Sequence, residues 1–175
     1  MIRLPLLVYF GIVLWKSMSL PEYESLLSGL NLGIHELGHV VFSPFGKWWG
    51  IAGGTILQLA FPLVSLLMFW RQRDYFAWTF SLAWLSTNLF GIARYVGDAR
   101  AMQLPLVSPF AEPEEHDWNY LLWQAGALQY DRLIASWVRA AAIGCLALGL
   151  MWGGWVLWQM VRGSVPGRKG TRTAD

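Results

Sequence analysis

The chain has 175 residues, of which 55% are hydrophobic, 15% aromatic and 14% charged, with a formal net charge of +2 and a mean hydropathy of +0.40. A soluble domain carries about 25% charge, so this chain has too little to cover a water-facing surface of its size. With one Cys and 12 Trp, the composition excludes a disordered chain, a disulfide scaffold and a conventional soluble enzyme. The length suits a single domain.

The first predicted helix covers about 4–18. Arg3 and Lys16 flank an apolar run, the layout of a signal peptide, but no small-x-small cleavage site follows. The run is therefore read as an uncleaved helix that Pro21 separates from the next. The second helix, about 23–43, contains ESLLSGLNLGIHELGHVVF and carries Asn31, His35, Glu36 and His39 among apolar residues. Ionisable groups at membrane depth are expensive and are retained for function. Gly29, Gly33 and Gly38 offer surfaces for close helix approach. Helices over about 50–70, 75–97 and 133–162 complete the set. They contain the uncharged stretches 50–70, 75–93 and 140–161, each about the 20 residues needed to span a bilayer. The expectation is an all-α integral membrane protein, a bundle of about five helices with the polar motif on the second. One domain covers 1–162, followed by a basic, disordered tail over 163–175.

The charges are sorted along the chain. Arg71 and Arg73 follow the third helix, and Arg162, Arg168, Lys169 and Arg172 follow the last. Segment 98–132 instead carries Asp98, Glu112, Glu114, Glu115, Asp117 and Asp131 against Arg100 and Arg132. The positive-inside rule puts 71–74 and the C-terminus in the cytoplasm and 98–132 outside, in a chain expected in the cell (inner) membrane. His35, His39, Gly53, Gly54, Asp98 and His116 then all fall toward the outer half. No basic stripe interleaved with aromatics supports nucleic-acid binding. The partners expected are membrane lipid and a peptide substrate. Trp70, Trp78, Trp118, Trp123, Trp155 and Trp158 read as interfacial anchors or lipid-facing bulk, and Cys145 as a packing residue.

Residues 35–39 read His-Glu-Leu-Gly-His, an HExxH motif. Four residues apart on a helix, the two imidazoles share a face and can grip one Zn2+. Zinc lowers the pKa of its water to about 7, and Glu36 is placed to take that proton and pass it to a leaving amine. Amide hydrolysis is the reaction the motif suits best. A polar interhelical network is the competing explanation.

These residues resemble the site-2 protease family of intramembrane zinc metalloproteases. The likeness covers HELGH, Gly53 and Gly54 in IAGGTILQLAFP, and more loosely the fourth helix. The resemblance implies a membrane zinc peptidase with one Zn2+ per chain. It further implies a metal-ligating Asp in an Asn-Leu-Leu-Pro-x-Pro-x-Leu-Asp-Gly type of motif. Here 88–98 reads NLFGIARYVGD, with Asn88 and Asp98 present, the prolines missing and a longer spacing.

A catalytic zinc takes three protein ligands and water. His116 is preferred as the third, because it is the one histidine outside the motif and imidazole suits zinc. Asp98 follows, favoured by the family motif, and then Asp117. A carboxylate that does not ligate could orient a ligand's other ring nitrogen. Asn31 and Asn88 could bind substrate or simply bond between helices. Gly53 and Gly54 could offer backbone to an extended substrate or simply pack closely; Thr55 and Gln58 are weaker candidates. The expected function is an intramembrane zinc metalloprotease with Glu36 as general base and acid. The alternatives are a membrane zinc hydrolase of a lipid-linked or small amide substrate, and an inactive metal-binding scaffold. A di-iron oxygenase is weaker, since three histidines cannot furnish several His boxes.

Overall fold

The computed structural model describes residues 3–20, 22–104 and 116–163. Among them are six α-helices and no strand: α1 (Arg3–Ser19), α2 (Ser28–Phe42), α3 (Lys47–Gln72), α4 (Tyr75–Gly97), α5 (Asp117–Gln124) and α6 (Asp131–Val161). The all-helical expectation holds, with one helix more than the five anticipated. The addition is α5, inside the segment read as an outer connection. Helix α2 begins at Ser28 and not near 23. Just before it, the Leu26 N–H donates to the Tyr9 hydroxyl (3.1 Å) and the Leu27 N–H to Ser25 Oγ (3.2 Å), so these backbone donors are held outside any helix. Apart from Gly163, the expected tail lies outside the described residues, as do Glu112, Glu114 and Glu115.

Among the described residues two helices are long and apolar enough to cross a membrane, α3 and the 128–161 helical stretch containing α6. The third uncharged stretch became α4, whose composition reflects a central position. Its hydroxyls lower its hydropathy and are consumed internally: Thr79 donates to Tyr75 O, Ser81 to Ala77 O and Thr87 to Trp84 O. Ser86 instead crosses to α6 and donates to Ala142 O at 2.7 Å. Helix α4 packs along α6 over most of its length and also meets α3 and α1. Phe10, Val13, Ala83 and Leu146 knit α1, α4 and α6 into one core cluster, and Ile92, Val96, Ala99 and Leu122 dock α5 onto the end of α4.

Helices α2 and α3 form a tight antiparallel pair. A short 3-10 turn (Ser43–Phe45) and Gly46 join them, and Gly46 adopts φ +104, a conformation that disfavours any side chain. Of the three glycines expected at a helix contact, Gly38 alone is in one. A Cβ there would collide with the Gly53 carbonyl oxygen and lie 2.8 Å from the Gly54 Cα, whereas Gly29 and Gly33 face open space. The α2–α3 backbones therefore meet at Gly38, Gly53 and Gly54, directly beside the histidines.

Candidate metal centre

Four elements converge at one end of the bundle. His35 and His39 come from consecutive turns of α2, with ring centroids 4.8 Å apart. Helix α3 runs beneath them, and a Cβ added to Gly54 would lie 2.7 Å from Nε2 of both imidazoles. Helix α4 brings Tyr95, and the first turn of α5 brings Asp117. One ligand atom each from His35, His39 and Asp117 lies within 4.8 Å of the other two.

The donor set can be tested for fit to a metal. His35 Nδ1–H donates to Gln58 Oε1 at 2.9 Å, and His39 Nδ1–H to the Gly50 carbonyl at 2.8 Å. Both partners are acceptors, so each Nδ1 carries a proton and each Nε2 is the ring atom left for Asp117 or a metal ion. Both Nε2 atoms face the same carboxylate oxygen, Asp117 Oδ2, at 2.9 and 3.3 Å. Without a metal, a proton on an imidazole Nε2 joins it to Asp117, and a metal ion can take that proton's place. A tetrahedral zinc with bonds of about 2.0–2.1 Å separates its ligand atoms by roughly 3.4 Å, close to the 2.9 and 3.3 Å between Asp117 Oδ2 and the two Nε2 atoms. The site, His35 and Asp117 in particular, is buried, and the Gly54 hydrogen leaves the space that a methyl would fill. The residues fit a metal ion.

Of the three candidates for a third ligand, the structure brings together the pair and Asp117, the last in order of preference. His116 is one residue away and does something else. Its Nδ1 accepts from the Asn119 N–H (3.2 Å), capping α5, and its ring stacks on Tyr95 with centroids 4.2 Å apart. Its Nε2 lies 3.5 Å from Asp98 Oδ2. Burial lowers the His116 pKa below its ordinary 6.5, against the opposing pull of Asp98 and Asp117. Asp98 accepts from the Gln103 and Leu104 N–H groups at 3.0 and 2.9 Å, closing the turn after α4. It therefore orients neither imidazole; Gln58 and Gly50 do. For Asp117, burial raises the pKa, but hydrogen bonds from His35 and His39 outweigh it and hold the carboxyl below its ordinary 3.8.

Asp117 is aimed by backbone. Its N–H donates to the Tyr95 hydroxyl at 3.1 Å, and Asn119 Nδ2 donates to Ala99 O at 2.7 Å, fixing α5 against the end of α4. Neither Tyr95 nor Asn119 stands out in the sequence. Gln58 was visible there as a polar residue in a span.

The remaining candidates sort clearly. Asn31 bonds between helices: its Oδ1 accepts from Trp84 Nε1 (2.8 Å) and its Nδ2 reaches Thr87 Oγ1 (3.4 Å). It also lines a cavity of about 420 Å³ together with His35, Glu36, Gln58, Thr87 and Tyr95. Leu32, Phe90 and Ile92 supply apolar wall, and Arg94 and Arg139 also border the space. Asn88 does not line it; its Nδ2 donates to Trp84 O, and the residue is buried. Gly53 is covered by Gly38 and Phe42 and so packs. Glu36 lines the same cavity as His35. No protein-family model, no curated protein and no solved structure matches this chain.

Proposed function

We propose that this protein is a membrane-embedded zinc hydrolase that cleaves peptide bonds. The observation that carries the reading is the convergence of two imidazole Nε2 atoms and the Asp117 carboxylate beside a cavity that Glu36 lines. His35, His39 and Asp117 hold the ion. Gln58 and the Gly50 carbonyl keep each Nδ1 protonated and each ring fixed, which strengthens the ligands. Zinc bound there supplies Lewis acidity and acidifies water. Glu36 takes a proton from the attacking water and delivers it to the leaving amine nitrogen. The cavity, about 420 Å³, is of a size for a short peptide segment. The HExxH helix and the Gly-Gly pair beneath it support a relationship to the site-2 proteases.

A membrane location rests on the two long apolar helices and on the large apolar side chains that face outward from them, such as Leu63, Val64 and Leu67 on α3 and Leu148 and Met151 on α6. With Arg71, Arg73 and Arg162 at the opposite end, the charge rule places the centre toward the outer face and the C-terminus in the cytoplasm.

The test is Glu36→Gln in the purified protein. It should keep metal content equal to the parent and lose at least about 100-fold in turnover of labelled membrane peptides, the scale of general acid–base catalysis. Equal turnover in the variant overturns the mechanism. Turnover of lipid-linked amides with none of peptides reassigns the substrate.

A further inference from the structure

The exposed tryptophans of α3 and α6 fall into two groups at opposite ends of the bundle. On α3 they are Trp48 and Trp49 at one end and Trp70 at the other, which is 57% exposed. On α6 they are Trp137, 71% exposed, and at the far end Trp155 and Trp158. The two helices run in the same direction, and side-chain contacts align their ends. Trp78 bridges Trp70 (5.8 Å) and Trp152 (5.5 Å) at one end. At the other, Lys47 lies over the Tyr120 ring at 4.9 Å, beside the short connection that leads into α6.

The separations agree. Trp49 and Trp70 are 21 residues apart, and so are Trp137 and Trp158. At 1.5 Å per residue each interval is about 32 Å, against a hydrocarbon core of about 30 Å. Between the tryptophans α3 carries no charged residue, and α6 carries only Arg139. Arg139 lies two residues inside Trp137 and donates to the Ser17 carbonyl at 2.6 Å. Two helices with independent sequences thus present the same belt-to-belt length. Tryptophan favours the headgroup boundary, where its ring is buried and its N–H stays wet.

These belts fix the depth of the metal centre. Gly54 lies directly under both Nε2 atoms and five residues below Trp49, about 8 Å along the helix axis. We propose that the centre sits in the outermost quarter of the bilayer core, and that the substrate is the terminal turn of a transmembrane helix, cut within about five residues of the headgroup boundary. The inference rests on the peptidase reading for the bond cleaved, but not for the depth. Its physical logic lies in helix ends. The first four N–H and last four C=O groups of a helix lack intrahelical partners. A terminal amide therefore reaches a shallow site without the melting of several turns in hydrocarbon.

Depth can be measured in the full-length protein carrying Cys145→Ser and reconstituted in phosphatidylcholine vesicles. Nitroxides are placed singly at Leu37, exposed on α2 beside Glu36, and at Phe61 and Leu148, exposed near the midpoints of the two Trp intervals. Collision with oxygen and with a water-soluble nickel chelate reports depth. Phe61 and Leu148 should read close to the bilayer centre, about 15 Å deep, and Leu37 at least about 5 Å shallower, given the 1.5 Å rise. A Leu37 label as deep as Phe61, or nickel access to Phe61 and Leu148, overturns the assignment. A model peptide with a 21-residue Leu/Ala span then locates the cut by mass spectrometry. Cleavage within about five residues of the end of the span, the reach of 8 Å at helical rise, supports the proposal, and cleavage at its centre overturns the substrate assignment. Loss of hydrolysis in the Glu36→Gln variant tests the mechanism separately, because the depth readings need no turnover.

Discussion

Asp117 and His116 are neighbours with opposite duties, and the difference between them is one helical cap. His116 stays outside α5 in extended geometry and accepts the Asn119 N–H, which turns the next residue inward. Asp117 then meets both imidazoles. Removing a ligand and removing a cap have different signatures. Asp117→Ala should bring zinc content close to zero at neutral pH, as should His35→Ala. His116→Ala and Asp98→Asn should keep about one zinc per chain. His116→Ala should also lower the stability of the fold by roughly 1 kcal/mol, the ordinary cost of a lost cap. Metal analysis with parallel thermal melts checks this. Zinc loss in His116→Ala with retention in Asp117→Ala would reverse the ligand assignment.

At the scale of the helix pair, glycine decides how close α2 and α3 come and what room remains between the histidines. A methyl at Gly38 meets the backbone of Gly53 and Gly54, which cannot move aside as a side chain could. Gly38→Ala should therefore separate the helices and destabilise the protein, on the order of 1–3 kcal/mol for overpacking. A methyl at Gly54 meets two imidazole tips and not backbone, so Gly54→Ala should weaken zinc binding while the bundle still folds. Gly33 faces open space on the same helix, so Gly33→Ala should be neutral or more stable by up to about 1 kcal/mol. Zinc titrations and melts of the three variants separate crowding of the site from crowding of the helices; equal effects at all three positions would reject it. This pairing also marks what was readable in the chain. Long apolar runs placed α3, α4 and α6 to within a few residues, because the 3.6 period and the flanking charges are local. HExxH was readable for the same reason, since i and i+4 share a face whatever surrounds them. Helix α5 was not, being only two turns long with no sustained apolar stripe. Without α5 the sequence favoured His116 as third ligand, ahead of Asp98 and of Asp117, the residue the structure brings to the pair. Tyr95 and Asn119 act through long-range contacts that no spacing rule encodes. Gly38, Gly53 and Gly54 looked alike in sequence to Gly29 and Gly33; only the helix crossing distinguishes them.

Across the whole molecule the centre ties a short peripheral helix to the bundle. Helix α5 is attached through Leu122, through Asn119 to Ala99, and through Asp117 to α2. In the absence of a metal, the Asp117 attachment to α2 depends on a proton shared between an imidazole Nε2 and the carboxylate. A bound ion replaces that proton with a stronger cross-link between α2 and α5. Ligand binding to the folded state alone adds about 2.7 kcal/mol at a hundredfold excess over Kd, which for a domain of this size corresponds to roughly 5–10 °C in Tm. The metal-free protein should accordingly melt lower by about that amount. Amide exchange should rise first in 117–124, while α4 and α6, packed along each other, stay protected. Acid should reproduce the effect of chelation. The histidines ligate only when neutral, so affinity falls as pH drops and protons compete for Nε2. Hydrogen–deuterium exchange with and without chelator, at two pH values, measures this. The Asp117→Ala variant should melt like the metal-free parent and gain nothing from added zinc. A zinc-dependent Tm that survives in that variant, or exchange that rises uniformly along the chain on chelation, would show that the ion is held elsewhere and that α5 owes its position to packing alone.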